Sequence, residues 1–366
     1  MDKLFVMMKK EKKQQSPKKL LFSKGNYAYV CTRVKAKRAL LFSNDTYLKL
    51  LVMDLPSITR FIGEAQYKKE INELALSYSG LELLEHALQK NMAAINHQIL
   101  GFSKGYLYTM ISAYLYRWDV WNIKTILRGK RYGASFQDIM KTVVPAGEYS
   151  EQFWRQIIDT SETMDAVIDH LKDTPWYATL QSYVGQKFSL SELENKLDID
   201  YYTHLLNVIP SSPKPNRLFK NFVKQEIDLQ NFKTLFLLKY ENVESETISK
   251  SLIDGGERSI DDLKGLIIAA DFNTFLEGIS SFPFYNLIKE DVENIHSTGS
   301  LTWVVRTLEK FFYENSEKFS YMYPLSILPI INYFMQKEIE VDNLRVIAKG
   351  MESKLSEQTI RDMLVI

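Results

Sequence analysis

Three times in this chain an acidic residue, an asparagine and a basic residue recur at one spacing on an apolar background. They are Asp119-x-x-Asn122-Ile-Lys124, Asp228-x-x-Asn231-Phe-Lys233 and Glu340-x-x-Asn343-Leu-Arg345. Other landmarks repeat in the same order. A Leu-Glu-x-x-apolar element precedes each motif, at Leu84-Glu85, Leu193-Glu194 and Leu308-Glu309. Further upstream an apolar helix end closes on an aromatic: Ile62 to Tyr67, Leu171 to Tyr177, Ile279 to Tyr285. A helical unit repeated in this way cannot bury its apolar face alone, so its copies must stack on one another. The expected fold is all-α, in three similar helical units: a basic arm over 1–24, then 25–138, 139–247 and 248–366. The third unit simply stops after Ile360 and Leu364, so its last helix is expected to pack beside residues 45–65 and close a ring.

On a helical wheel the first copy places Ile123, Ile126 and Leu127 in one stripe, with Asn122 and Lys124 on its borders. Phe232, Leu235 and Phe236, and then Leu344, Ile347 and Ala348, take the same places. An asparagine at such an edge can bond a neighbouring backbone, and a basic side chain can lay its stem on apolar surface. Asp119 and Asp228 are expected either to cap a helix start or to pair with a base on the preceding turn, and Glu340 is a poorer cap. Two readings stay open for these residues: packing and capping, or gripping a partner. The same choice applies to the basic run Arg128-Gly129-Lys130-Arg131, which suits the negative end of a helix dipole. Turns are expected at Pro145 to Glu148, at its counterpart Asp254 to Glu257, and across Pro210 to Pro215. Leu48, Leu51 and Leu55, and Leu263 with Ile267, recur at helical spacing.

A formal charge of +1 offers no electrostatic footprint for nucleic acid. The single cysteine, Cys31, cannot form an internal disulfide and reads as a small buried side chain. No stretch of about 20 apolar residues is present, and the lysine-bearing start lacks the pattern of a secretory signal. Any membrane role is therefore expected to be peripheral. The arm itself reads either as a solvated tail or as a tether to anionic lipid. A phosphate-binding loop and a dinucleotide fingerprint are missing, and His86, His97, His170, His204 and His296 form no metal-ligand spacing. No cofactor, metal site or catalytic residue is expected.

Four stretches carry a family resemblance: Asn26 to Val30 with Arg33 to Ala36; Asp119 to Lys130; the second motif ending Lys233-Thr234; and Lys337-x-x-Glu340-Val341-Asp342-Asn343-Leu344-Arg345-Val346-Ile347-x-Lys349-Gly350. The chain resembles the C subunit of archaeal A-type ATP synthases, the counterpart of the d subunit in vacuolar-type ATPases. The first 24 residues and Glu340 depart from the family pattern. The resemblance implies a funnel of three helical subdomains around a pseudo-threefold axis, acting as a non-catalytic central-stalk rotor part. Its wide mouth would sit on the proteolipid ring, at the cytoplasmic face of the membrane, and its other side would receive the central shaft. The residues expected to face these partners are Asn122, Lys124, Arg128, Lys130, Asn231, Lys233, Asn343, Arg345 and Lys349. The rival expectation is a soluble helical-repeat adaptor, an open solenoid that binds a peptide or helix in its groove.

Overall fold

The computed structural model describes residues 25–210, 214–282, 284–295 and 299–365. Helices account for 72% of the described residues, in nineteen segments, and no strand occurs among those residues. Six are long and form three antiparallel hairpins: α5 (Gly80–Phe102) with α6 (Tyr106–Arg131), α11 (Leu190–Val208) with α12 (Lys214–Tyr240), and α17 (Thr302–Met322) with α18 (Leu328–Glu352). Each long helix packs against the next in chain order, and α18 packs back against α5. The six long helices thus close on themselves.

Short helices fill the gaps between hairpins. After α6 come α7 (Phe136–Thr142), α8 (Glu151–Thr160), α9 (Met164–His170) and α10 (Tyr177–Gln181). After α12 come α13 (Ser245–Ser251), α14 (Lys264–Ile267), α15 (Phe272–Ile279) and α16 (Tyr285–Glu293). After α18 comes α19 (Glu357–Asp362), and the chain's first helices complete that set: α2 (Asn44–Leu50), α3 (Leu55–Glu64) and α4 (Lys68–Leu74). Six of the short helices start at a side-chain cap. Asp54, Ser135, Ser150, Thr163, Asp271 and Ser356 each accept from the N–H three residues on.

Three hydrophobic cores follow. One joins Ile58, Ile62, Leu84 and Leu88 to Leu344, Ile347 and Ile360, so the two ends of the chain share it. A second lies within residues 232–308. The third takes in residues 126–205 and continues into the middle of the long hairpins. α1 (Tyr27–Arg38) buries Val30, Cys31 and Val34 against α18 and α5.

Two local expectations change. Leu48 and Leu55 sit on different helices, because Asp54 caps a new start and Pro56 suits its first turn. Pro215 lies in the first turn of α12, where its missing N–H costs no helical bond, so the proline-rich break ends before it.

Candidate functional site

The apolar stripes fall where the wheel puts them. Ile123, Ile126 and Leu127, and their counterparts in both other copies, are all buried. The asparagines are buried beside them, and each grips a backbone position 22 residues further on. Asn122 Nδ2 donates to Val144 O at 2.8 Å, while Val144 N donates to Asn122 Oδ1 at 2.8 Å. Asn231 does the same with Ile253, at 2.8 Å in both directions. Asn343 does so with Val365, at 2.9 Å in both directions. Each clamp satisfies one N–H and one C=O of an irregular segment, buried in the first two copies and partly buried in the third. That explains why an amide is used rather than a hydroxyl or an acid.

The acids three residues upstream are not helix caps, since each lies well inside its long helix. Asp119 accepts from Glu148 N at 2.8 Å and Tyr149 N at 3.3 Å. Asp228 accepts from Arg258 N at 3.2 and 3.3 Å. A Cβ on Gly147 would collide with the Asp119 carboxylate, and one on Gly256 with that of Asp228. Both turns therefore need glycine for the backbone to come this close. The third acid works across the chain ends, where Glu340 Oε2 accepts from Phe42 N at 2.7 Å. No glycine precedes Phe42, because Leu41 stands there, and the extra methylene of glutamate spans the wider gap. Glu340 Oε1 also accepts from Gln66 Nε2 at 2.7 Å, Tyr67 OH at 2.6 Å and Lys337 Nζ at 2.8 Å. Burial pushes the Asp119 carboxyl well above the usual carboxylate range and Asp228 up to about 6. It pushes the Lys337 ammonium down.

The basic residues of the motifs are all engaged within the chain. Arg128 holds Glu194 with both oxygens, at 2.8 and 2.7 Å, and Lys349 holds Glu85 at 2.8 Å. Both bases lie six residues after their asparagine, and both acids belong to the Leu-Glu elements. Lys124 pairs with Asp198, Lys233 with Glu309 at 2.5 Å, and Arg345 with Asp342 at 2.8 Å. Lys130 Nζ donates to Ile158 O at 2.8 Å, and Lys239, its counterpart in the second copy, donates to Ala269 O at 2.8 Å. Arg128 and Lys349 keep about half of their side-chain surface in solvent.

One constellation was missed by sequence reasoning. The position five residues before each asparagine is Arg117, Glu226 and Glu338; in the fold Arg117 pairs with Glu226, and Glu338 lies within reach of the charge of both. Arg117 donates to Glu226 at 2.5 Å and to Tyr201 OH at 3.3 Å, and lies 3.9 Å from the centroid of the Tyr114 ring. Burial pushes Glu338 up to about 7, against the pull of Arg117. The signal was the fixed offset from the asparagine, hidden because the three residues differ in charge. Exposure rises along the same helix face. Tyr114, Val223 and Met335, eight residues before each asparagine, are buried, whereas Trp121 and Asp342, one residue before theirs, are exposed.

The scattered histidines have other partners. His86 packs on Tyr78 at 4.3 Å, His97 bonds Gly147 O at 2.8 Å and His170 meets Thr160 at 3.1 Å. His204 packs against Tyr116 and Trp176, and His296 lies outside the described residues, as does the arm over 1–24. Among the described residues no group of three His, Cys, Asp or Glu is arranged to hold a metal. No helix there is long and apolar enough to cross a membrane. Cys31 is buried, and its thiol donates to Ser326 O at 3.3 Å.

A profile of the ATP synthase (C/AC39) subunit matches residues 30–363. The chain belongs to that family. It is 40% identical over 349 residues to the C subunit of the A-type ATP synthase of Methanococcoides burtonii, covering 94% of this chain and 95% of the relative. Identity is 33% to the corresponding protein of Archaeoglobus fulgidus and 30% to that of Haloferax volcanii, covering 98% of each relative and 94% and 93% of this chain. The motifs and acid latches fall inside the matched C/AC39 region, as do the clamps apart from Val365, the backbone that Asn343 grips. The family is one of accessory subunits of the ATP synthase, outside its catalytic part.

Proposed function

We propose that this chain is a non-catalytic socket in the central stalk of a V/A-type rotary ATPase or ATP synthase, coupling the rotor shaft to the proteolipid ring at the cytoplasmic face of the membrane. The observation that carries the reading is closure: six long helices packed in sequence, with α18 returning to α5. A part that transmits torque must resist shear in every direction. A closed ring does so without the free ends of an open solenoid, which is what a groove-binding adaptor would have. On this reading the three hairpins, one in each of the units near 25–138, 139–247 and 248–366, stand about a pseudo-threefold axis, and the first and third units share the core at the chain ends. Asn122, Asn231 and Asn343 stiffen the wall from within. The exposed parts of Arg128 and Lys349, together with Lys124, Lys130, Lys233 and Arg345, provide a polar rim for the shaft.

The test is purification of tagged protein from gently solubilised native membranes, followed by mass spectrometry. Proteolipid, shaft and catalytic subunits are expected in fixed ratio. Recovery as a lone soluble chain, or with unrelated partners, would overturn the reading.

A further inference from the structure

The first two clamp-and-latch joints are bridged by the chain itself. Residues 145–147 run from Val144, held by Asn122, to Glu148, held by Asp119. Residues 254–257 run from Ile253 to Arg258 in the same way. Asn96 and His97 support the first bridge, bonding Ala146 O at 3.1 Å and Gly147 O at 2.8 Å. In the third joint the clamp holds Val365 and the latch holds Phe42, and no peptide joins them there. A cavity of about 510 Å³ has both residues in its wall. Its size is that of a small-ligand site.

The wall of this cavity is chemically one-sided. α18 contributes Asn332 and Gln336, one turn apart, each with an amide oxygen that meets no donor among the described residues. Asn332 is 2% exposed. Gln336 Nε2 donates to Glu317 at 3.4 Å, so turning that amide would set its oxygen against a carboxylate. Asn332 Nδ2 donates to Ser316 Oγ at 3.5 Å, and the Ser316 hydroxyl itself donates to Met335 Sδ. α17 adds Glu317 and the exposed Glu314, which holds no base among the described residues.

The bases of the wall are already committed. Arg38 donates to Glu317 and, at 2.8 Å, to Tyr321 OH, and Lys310 is likewise engaged. What is unmet is therefore acceptor and not donor, which argues for a cation and against an anion. Phe42, Tyr47, Tyr313 and Met335 complete the lining. Such a wall suits a short alkyl stem, and its rings suit a positive charge above them.

We propose that this cavity binds a small aliphatic ammonium ion. Its head sits among Glu314 and the Asn332 and Gln336 carbonyls, and its stem lies against Phe42 and Met335. The ligand takes the place that the chain fills in the other two joints. Touching the latch segment, α17 and α18 at once, it tightens ring closure. This goes beyond the rotary reading and needs no other subunit.

The test is calorimetric titration of the purified full chain with putrescine, with thermal melts beside it. Saturable binding at one site is expected. The melting temperature should rise with putrescine and not with sodium chloride of equal ionic strength. Glu314→Gln is expected to leave the unliganded melt unchanged and to weaken binding about fivefold. Gln336→Leu removes one acceptor and is expected to weaken it about tenfold. Asp159→Asn, an exposed acid on α8, should bind as the unmodified chain does. Absence of binding, or a melting shift reproduced by sodium chloride, would overturn the proposal. So would undiminished binding by both cavity variants, which would mark a general attraction of putrescine to surface acids. The titration contains no other protein, so its failure leaves the rotary reading untouched, and a failed membrane purification leaves this result standing.

Discussion

The first two acid latches and the third do the same task under different conditions. Asp119 reaches a backbone N–H 29 residues away, in a loop of its own continuous segment. Glu340 reaches Phe42, 298 residues away. Closing the longer span costs about 2 kcal/mol more chain entropy. The local latches make do with backbone donors and a permissive glycine. The latch between the chain ends adds Gln66, the Tyr67 hydroxyl and a fully buried Lys337. Where covalent continuity does not hold two segments together, this chain uses buried ionic bonding.

The sharpest way to break that contrast is Lys337→Met. It leaves Glu340 buried without its cation and is expected to cost about 3–5 kcal/mol in chemical denaturation. Adding Glu340→Leu should cost less than the sum of the two single changes, since the pair acts as a unit. An additive result would mean that the seam does not depend on their pairing.

The asparagine clamps come next. Asn122→Leu and Asn231→Leu each strand one buried N–H and one buried C=O, for an expected loss of about 2–4 kcal/mol. Asn343→Leu is expected to lose less, because Val365 is only partly buried and water can reach its backbone. Equal losses in all three would show that burial does not set the scale.

Glu338 supplies a pH test at the point where the three long hairpins meet. Unfolded, it releases its proton near pH 4.5, and folded it does so near 7. Between those values the folded chain holds the additional proton, so this group's contribution to stability falls as pH rises. Glu338→Gln removes that loss. Its advantage is expected to be absent below pH 4.5 and to reach about 2–3 kcal/mol above pH 7, read from paired thermal melts. A pH-independent difference would mean that Glu338 titrates normally.

The smallest effect is expected at the rim. Arg128→Ala and Lys349→Ala should each change stability by less than about 1 kcal/mol, because both pairs lie half in solvent. A clear loss of shaft subunits from the purified complex, at unchanged melting temperature, would mark these residues as partner contacts.

Much of this was legible in the chain. The apolar stripes around Ile123, Phe232 and Leu344 were readable from periodicity, because burial of one helix face needs only local spacing. The family was readable from the strings around Asn122 and Asn343. The partners were not. Asn122 bonds a backbone amide and carbonyl, which every residue carries, so Val144 leaves no trace in the sequence. Arg128 and Lys233 find Glu194 and Glu309 at separations of 66 and 76 residues, beyond any helical period. Local spacing and composition are properties of the chain and determine helices, stripes and repeats. Which backbone a clamp grips and which acid a base meets depend on long-range closure, and only the packed helices decide them.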